Sequence, residues 1–591
     1  MIVKMKKVTL LVWAEERQAT VARLRKLGVV HVQPIAAPQS EDVARLEADL
    51  AEVERALSVI GMERAEPGEE EGEPARVVGH ILERAQQREQ LARELEELRE
   101  QHKWFERWGR VSLASLQELA QAGITLRFYV GDRQAVRALP PEKMIQVVRE
   151  DQRTVYFVYF ATSADDRLDF KEEPMPAVEV AALEAQIAEV ESAITAIENE
   201  VAGLARHRQG LCRYREQLTK RLEFGRVLAG MGQAEEIAFL QGYCPAEDVK
   251  RVTTAADREG WAYTVEDPDN PEEVPTLIRN PRWLRVVEPV FKFLGTIPGY
   301  EEHDISFWFL LFFSIFFAIL IGDAGYGLLF LVVTWLVRRK ARRAPREPFT
   351  LMYVLSIATL LWGAISGNWF GVPQIGQLPL LRRLIVDPVN SFAAGSQDFM
   401  MYLCFLIGAL HLTVAHGMNA FRLLNSVRAL AQVGWIAIVW GLFFTAGRLV
   451  LGKSGPPAAV ILALVGGGTA LVLLFAHAQR NFLKGVLQSL AETPLSVISS
   501  FSDVVSYLRL FAVGFASVTV ESSFNEMALS LGFNSVLRGL IAAFILFFGH
   551  ALNIVLGFMA VIVHGVRLNM LEFSGHLGMQ WSGRPYQPFR E

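Results

Sequence analysis

Of the 64 acidic residues in this 591-residue chain, only 11 lie from Asp304 to the C-terminus, which is nearly half its length. That partition constrains the fold more than any single motif. A charged, water-soluble N-terminal part must be joined to an apolar part that needs lipid or protein around it. The net charge of −5 averages two unlike halves and points to no nucleic-acid partner. Cys212, Cys244 and Cys404 form no C-x-x-C pair and no disulfide framework, which suits a reducing compartment for the soluble part. The opening "MIVKMKKVTLLVWAEERQ" lacks the apolar run of a signal peptide, so the soluble part is expected to stay in the cytoplasm.

The soluble part reads as two small α/β units on a coiled-coil arm. "VTLLVWAEERQATVARLRKLGVVHVQP" alternates strand, helix, strand, with "LG" ending the helix. Val43, Leu46, Leu50, Val53, Leu57 and Ile60 then repeat at steps of three and four, and a second run over 78–105 carries Leu91, Leu95 and Leu98. "GEEEGEPA" separates the two as a solvated break. Strand-rich sequence follows at "ITLRFYVGD" and "TVYFVYFAT". The most regular heptads come next, at Leu183, Ile187, Val190, Ile194, Ile197, Val201, Leu204, Leu211 and Leu218. Such a seam needs a partner helix. The return to α/β sequence at "FLQGYCPAEDVKRVTTAADREGWAYTVED" favours antiparallel pairing of the chain's own arms over pairing with another chain. No acid–base or nucleophile constellation stands out in this part.

From Ile305 to Val337 the chain is almost continuously apolar, about 50 Å as one helix. That exceeds a hydrocarbon core of roughly 30 Å. "GDAGYG" (322–327) interrupts the run, so two spans are expected there. Further spans fit 350–371, 400–421, 430–450 and 457–478, and two longer ones fit about 490–531 and 537–574. That makes eight. Six basic residues in "RRKARRAPRE", with Arg422–Arg428 and Arg480–Lys484, place those loops and both termini on the cytoplasmic side. Fully helical, the last two segments would reach roughly 63 and 52 Å, so they must tilt, kink or project. Residues 1–300 are thus expected to form the cytoplasmic arm and 301–591 the membrane domain.

"GRLVLGKS" (447–454) matches the phosphate-loop pattern, but a long apolar helix precedes it and "GPP" follows, where a strand and a helix are required. It reads as a loop, and no nucleotide, metal, cofactor or catalytic site is expected. The informative stretch is "SYLRLFAVGFAS" (506–517). An arginine at a bilayer centre costs roughly 2.5–3.5 kcal/mol on insertion scales, so Arg509 needs something to meet its charge. Ser502, Ser506, Arg509 and Ala516 share one stripe. On the final helix His550, Asn553, Gly557, Ala560, His564 and Arg567 make another, at steps of 3, 4, 3, 4, 3. Such stripes face water or protein; helix–helix hydrogen bonding, with Arg567 snorkelling, is the plainer alternative. Glu521 and Glu526 lie outward of Arg509, while Asp503 and Glu572 lie toward the cytoplasm, Glu572 off the stripe. No acid within the chain is expected to neutralise both arginines. The acids flank a central arginine pair, which suits two aqueous half-paths that do not meet.

At these residues the chain resembles the membrane subunit of V/A-type rotary ATPases, called subunit a in eukaryotes and subunit I in bacteria and archaea. "SFSDVVSYLRLFAVGFAS" and "HGVRLNMLEF…GRPYQPF" carry the resemblance, with "GDAGYG" and "EEVPTLIRN" in support, and it spans the whole chain. "DISFW" stands where the family usually opens its first span with Asp-Pro-Thr. The resemblance implies that Arg509 matches the family's essential arginine and Arg567 its second. These would face the ion-binding carboxylate of a rotating ring of small membrane subunits. Further partners it implies are peripheral-stalk subunits, the central-stalk subunit on top of the ring and, indirectly, the soluble ATPase head. A prokaryotic plasma membrane is the implied location. Eukaryotic members carry further acids and a histidine in these two helices, and Ser517 and Gly557 stand at two such positions, so the resemblance implies that the half-channel wiring departs from theirs. A secondary ion transporter with a cytoplasmic coiled-coil regulatory arm is the alternative, but no internal repeat pairs Arg509 with an earlier arginine. A membrane-anchored signalling protein would need a kinase, cyclase or receiver domain, and none is present.

Overall fold

The computed structural model describes all residues except 62–72, 152, 164–165, 394, 478–481 and 533–534. The "GEEEGEPA" break and the basic stretch Arg480–Lys484 lie partly outside the described residues. The chain divides into two compact units. One gathers Met1–Thr9, Val29–His31 and Gly242–Phe589, and the other Leu10–Gly28, Val32–Gln241 and Arg590–Glu591.

The opening segment folds as read: β1 (Met5–Trp13), α1 (Arg17–Leu27) and β2 (His31–Gln33). Gly28, at φ 63°, ends α1 in the left-handed conformation that glycine adopts without strain.

Four long helices dominate the second unit: α2 (Glu41–Ile60), α3 (Pro74–Trp108), α4 (Val180–Leu204) and α5 (Arg208–Ala229). Ser40 Oγ caps α2 by accepting from Val43 N–H at 3.2 Å. Leu183, Val190, Ile197, Leu211 and Leu218, spaced at multiples of seven, are all buried. Val53, Leu57 and Ile60 of α2 cluster with Val78 and Ile81 of α3 and with Leu211 and Leu218 of α5. Ion pairs give the direction of pairing. Arg84 meets Glu200, Arg99 meets Glu191 and Arg110 meets Glu184, so α3 and α4 run antiparallel. Between α3 and α4 lies a sheet of β3 (Thr125–Asp132), β4 (Ile145–Glu150), β5 (Thr154–Ala161) and β6 (Lys171–Glu172), in the order β4-β5-β3-β6. β3 and β5 are antiparallel from Thr125↔Ala161 to Asp132↔Thr154. Phe157 and Tyr129 pack beneath one face, while Phe128 joins Trp104 and Trp108 on the other.

After β7 (Gly232–Ala234) and β8 (Ile237–Pro245) come α6 (Val249–Glu259) and β9 (Ala262–Glu266), the second strand–helix–strand segment. In the first unit, β10 (Pro275–Thr276) pairs in parallel with β11 (Arg584–Pro585), which brings the C-terminal tail back to residues preceding the membrane helices. Tyr586 donates its hydroxyl to Val29 O at 2.6 Å and packs against Met5, Tyr243 and Val274.

Among the described residues, six helices are long and apolar enough to cross a bilayer: Arg346–Ser366, Ser396–Arg422, Arg428–Leu451, Ala458–Phe475, Leu483–Leu531 and Val536–Leu577. The region expected to hold two further spans forms α7 (Ser306–Ile321) and α8 (Ala324–Lys340), bent by 118° at their junction. At 16 and 17 residues they reach about 24 and 26 Å, short of a 30 Å core. "GDAGYG" builds the bend. Gly322, at φ 65°, ends α7, and Asp323 starts α8 by accepting from Tyr326 N–H at 2.8 Å. The two long segments at the end are 49 and 42 residues. The first divides at Tyr507 into α9 (Phe482–Ser506), with Pro494 inside it, and α10 (Leu508–Leu531). The second begins as α11 (Val536–Ala560) and continues through two π-helical turns, Val561–Gly565 and Leu568–Phe573. α7 lies at the centre, with Phe309, Phe313, Phe316 and Phe317 buried. α10 approaches it closely: a Cβ added at Gly514 would stand 2.6 Å from Ile319 O.

Candidate ion-translocation site

Arg509 projects from the first turn of α10 and is held from both sides. Its Nε donates to Ser506 O at 3.0 Å, and its Nη2 donates to Glu572 Oε1 at 2.7 Å. Glu572 is buried, at 4% side-chain exposure, and the same oxygen lies 3.5 Å from Arg567 Nε. Ser506 Oγ donates to it as well, at 3.3 Å. This corrects two expectations. An acid of the chain does sit between both arginines, and Glu572 is not off their face. In an α-helix, residues five apart stand about 140° from each other around the axis. The π-helical turns widen the spiral, as i→i+5 bonding does, and bring Glu572 back beside Arg567. Glu572 Oε2 has no hydrogen-bond partner among the described residues. The carboxylate's nearest charged neighbours are the two guanidinium groups, Arg509 at 2.7 Å and Arg567 at 3.5 Å.

Beside this pair opens a cleft of about 500 Å³, whose walls include Asp503, Arg567, Glu572 and His576. Asp503 Oδ2 lies 3.1 Å from His576 Nε2. His576 Nδ1 in turn lies 2.9 Å from His416 Nε2, and His416 Nδ1 lies 2.8 Å from Gln432 Oε1.

Glu521 belongs to a different network. It is buried, and its Oε1 accepts from Asn553 Nδ2 at 2.6 Å while its Oε2 accepts from Asn368 Nδ2 at 3.1 Å. Ser517 Oγ sits 2.9 Å from Asn553 Nδ2. Tyr326 OH bonds His550 Nδ1 at 2.7 Å, and His550 Nε2 bonds Asn525 Oδ1 at 3.2 Å. Asp323 Oδ2 accepts from Gly371 N–H at 3.3 Å nearby. No hydrogen bond among the described residues joins this network to the Arg509–Glu572 pair.

Over its whole length the chain is similar to two curated proteins. It is 31% identical over 614 residues to a V-type ATP synthase subunit I of Borreliella burgdorferi, covering 100% of both chains. It is 33% identical over 629 residues to a V-type ATP synthase subunit I 1 of Treponema pallidum, again covering 100% of both. The chain belongs to the V-type ATP synthase subunit I family. An A-type ATP synthase subunit I of Methanocaldococcus jannaschii is 23% identical over 399 residues, covering 62% of this chain and 57% of that one. A crystal structure of the cytoplasmic N-terminal domain of subunit I, homologue of subunit a of V-ATPase, matches 44% of this chain and 99% of that chain. Its identity is 20% and its TM-score 0.24, too low to bear on the fold. No family model matches the chain.

Within this subunit I family member, Arg509, Arg567, Glu572, Ser506 and Asp503 meet at one place, while Glu521, Asn553 and His550 meet at another. Glu526 joins neither: it is exposed on α10. His564 lies between Asn553 and Arg567 on the final helix, and its Nδ1 is buried without a partner among the described residues. Asp323, Asn368 and Asn525 are absent from the residues picked out by pattern, as are His416, Gln432 and His576. Asp323 was visible as the acid inside an apolar run. His416 was visible as an imidazole on the apolar helix Ser396–Arg422. Of "GRLVLGKS", expected to be a loop, residues 447–451 are the last residues of the helix Arg428–Leu451, which Gly452 ends at φ 61°, and Lys453 Nζ lies 4.8 Å from the Tyr402 ring centroid.

Proposed function

We propose that this chain is the stator membrane subunit of a V/A-type ATP synthase or ATPase, forming two ion half-channels against a rotating ring of small ion-binding subunits. The observation that carries the reading is the Arg509–Arg567 pair set between two separate polar networks. An ion entering through one network meets fixed positive charge before it can reach the other, so passage requires a carrier that moves between them. A ring carboxylate is such a carrier. Beside Arg509 the small residues Ser502, Ala512 and Ala516 are left exposed, which permits close approach by another helix. The guanidinium lowers the carboxylate's proton affinity as it passes and favours release.

In this reading the membrane domain over 301–591 has eight spans, with α7 and α8 counted singly, and both termini are cytoplasmic in a prokaryotic plasma membrane. Residues 1–300 form a coiled-coil stator arm that meets the peripheral stalk. The ring carries the central-stalk subunit, and the ATPase head is coupled indirectly. The chain itself carries no catalytic site.

Reconstituted complexes carrying Arg509→Ala or Arg509→Lys test the reading. Both should lose ATP-driven ion transport while the head still hydrolyses ATP. Lysine should fail because its ammonium is a point charge, whereas guanidinium presents a planar fork. Wild-type pumping by the assembled Arg509→Ala complex would overturn the half-channel reading.

A further inference from the structure

We propose that the turn joining α8 to the span Arg346–Ser366 is a binding surface for anionic glycerophospholipids, which it holds by their phosphates. This rests on the reading above that α8 crosses the membrane with this end in the cytoplasm, and adds a lipid partner of stated charge. Arg338, Arg339, Lys340, Arg342, Arg343 and Arg346 crowd this turn, and all six are exposed. Glu347 is the one acid between Asp323 and Asp387, and among the described residues none of the six cations has an ion pair.

The fold keeps these charges together. α8 and the following span pack closely, since a Cβ added at Gly327 would stand 2.5 Å from Leu360 N. Their connection, residues 341–345, is tight: Ala341 N–H donates to Val337 O at 2.8 Å, and Ala344 N–H donates to Ala341 O at 3.1 Å. Cations fixed on so short a turn repel one another. The dipole of α8 favours the three at its C-terminal end, but Arg346 opens the next helix, where the dipole opposes a cation. Anions from outside the chain offset what the fold itself leaves uncompensated.

The surroundings identify the source of those anions. Leu336 and Val337, just before the cluster, are exposed, and Trp335 carries the Arg339 guanidinium 4.7 Å above its ring. An exposed apolar helix that ends in an amphipathic aromatic and then in cations passes from hydrocarbon to headgroups. At about 26 Å, α8 is also shorter than a 30 Å core, so its long cationic side chains reach out to the phosphates. Trp283 and Phe293 are exposed as well, and Val286 and Val287 between them join the buried cluster of Leu351 and Leu355 near the start of the next span. They supply further interfacial aromatics at this end. A soluble acidic protein would meet the charges but not this apolar and aromatic collar. Phosphatidylcholine sets a cation beside its phosphate, which the cluster repels, whereas phosphatidylglycerol presents the phosphate without one. Each Lys or Arg in such a cluster strengthens the attraction to anionic lipid about fivefold.

Photocrosslinking of the intact complex in phosphatidylcholine membranes provides the test. Phosphatidylglycerol and phosphatidylcholine bearing the same photoactivatable acyl chain are added in turn, and the crosslinked peptides are mapped. Phosphatidylglycerol should label 332–350 at least about tenfold more than phosphatidylcholine does. Both should label the exposed Leu462 of another span equally. Raising the salt concentration should shrink the difference. Arg342→Gln/Arg343→Gln/Arg346→Gln should lose most of the preference, and the same three positions changed to Lys should keep it. Equal labelling by the two lipids in the wild type would show that the cations only orient the chain, and would overturn the site. So would an undiminished preference in the Gln variant, or crosslinks from this turn to an acidic subunit in place of lipid. If the Gln variant does not assemble, the wild-type comparison still decides. Labelling Ala344→Cys with a membrane-impermeant maleimide separates this inference from the orientation it rests on. Labelling from the side of the ATPase head without a lipid preference means that only the lipid site fails; labelling from the other side alone means that the orientation fails.

Discussion

Glu572 Oε1 lies 2.7 Å from Arg509 Nη2, although 63 positions separate the two residues in sequence. The carboxylate is buried, and its second guanidinium neighbour, Arg567, is farther away, at 3.5 Å. The arginine proposed to meet a passing carboxylate is therefore already held by one of the chain's own. Under that proposal, an incoming ring carboxylate would compete with Glu572 for Arg509.

Removing Arg509 alone should cost stability as well as transport. Breaking one side of a buried pair costs about 3–5 kcal/mol, and Arg567 compensates only in part. Arg509→Ala should lower the thermal midpoint of the purified complex. Arg509→Ala/Glu572→Gln should restore that midpoint, by removing the stranded charge, without restoring transport. Equal midpoints for the single and double variants would show that Glu572 has no charge to strand.

Asn553→Leu should destabilise the parts of α10 and α11 around Glu521. It removes the 2.6 Å donor to Glu521 Oε1 and leaves that buried acceptor only the longer bond from Ser517 Oγ at 3.4 Å, a loss of about 1–3 kcal/mol. Protease sensitivity or faster hydrogen exchange over 517–525 would register it. Glu526→Gln, at an exposed position in neither network, should leave both measures unchanged.

In the arm, burial should outweigh charge. Leu183 is fully buried, and Leu183→Ala should cost about 2–5 kcal/mol. Arg99 and Glu191 pair at 2.7 Å, but their side chains are 57% and 46% exposed, so Arg99→Ala should cost less than about 1 kcal/mol. Urea unfolding of the purified chain, followed by exchange over 180–204, distinguishes the two.

Acid should loosen the C-terminal tail. Burial of His31 holds its imidazole below its ordinary value of 6.5, outweighing the bond to the Gln587 carbonyl. The fold thus favours the neutral ring. That stabilisation is fully present above 6.5 and is lost as pH falls through the lowered value. Hydrogen exchange over 584–589 should quicken between neutral pH and about pH 5. His31→Gln should flatten that dependence.

Much of this organisation was legible in the chain's periodicities. The buried series of Leu183, Val190 and Ile197 on α4, and of Leu211 and Leu218 on α5, survives folding because a seven-residue spacing returns to nearly the same face of each helix. "GDAGYG" announced a break because glycine ends one helix and aspartate caps the next. Arg509 drew attention because charge in an apolar run is costly. The span count was less secure. Hydropathy registers a continuous apolar run, but bend angle and helix length divide it.

By itself, then, the sequence determined which residues must leave water, where helices start and stop, and that Arg509 needs a counter-charge. Only the tertiary structure decided which group supplies it. Glu572 reaches Arg509 because the π-helical turns shift its angular position, and turn width leaves no trace in a pattern read at 3.6 residues per turn. His576, His416 and Asp503, like Asp323, Glu521 and Asn553, come from helices distant in sequence. Their contacts depend on how the helices cross and rotate against one another. That is fixed by the packing of side chains such as the phenylalanines of α7, and by close approaches such as Gly514 against Ile319.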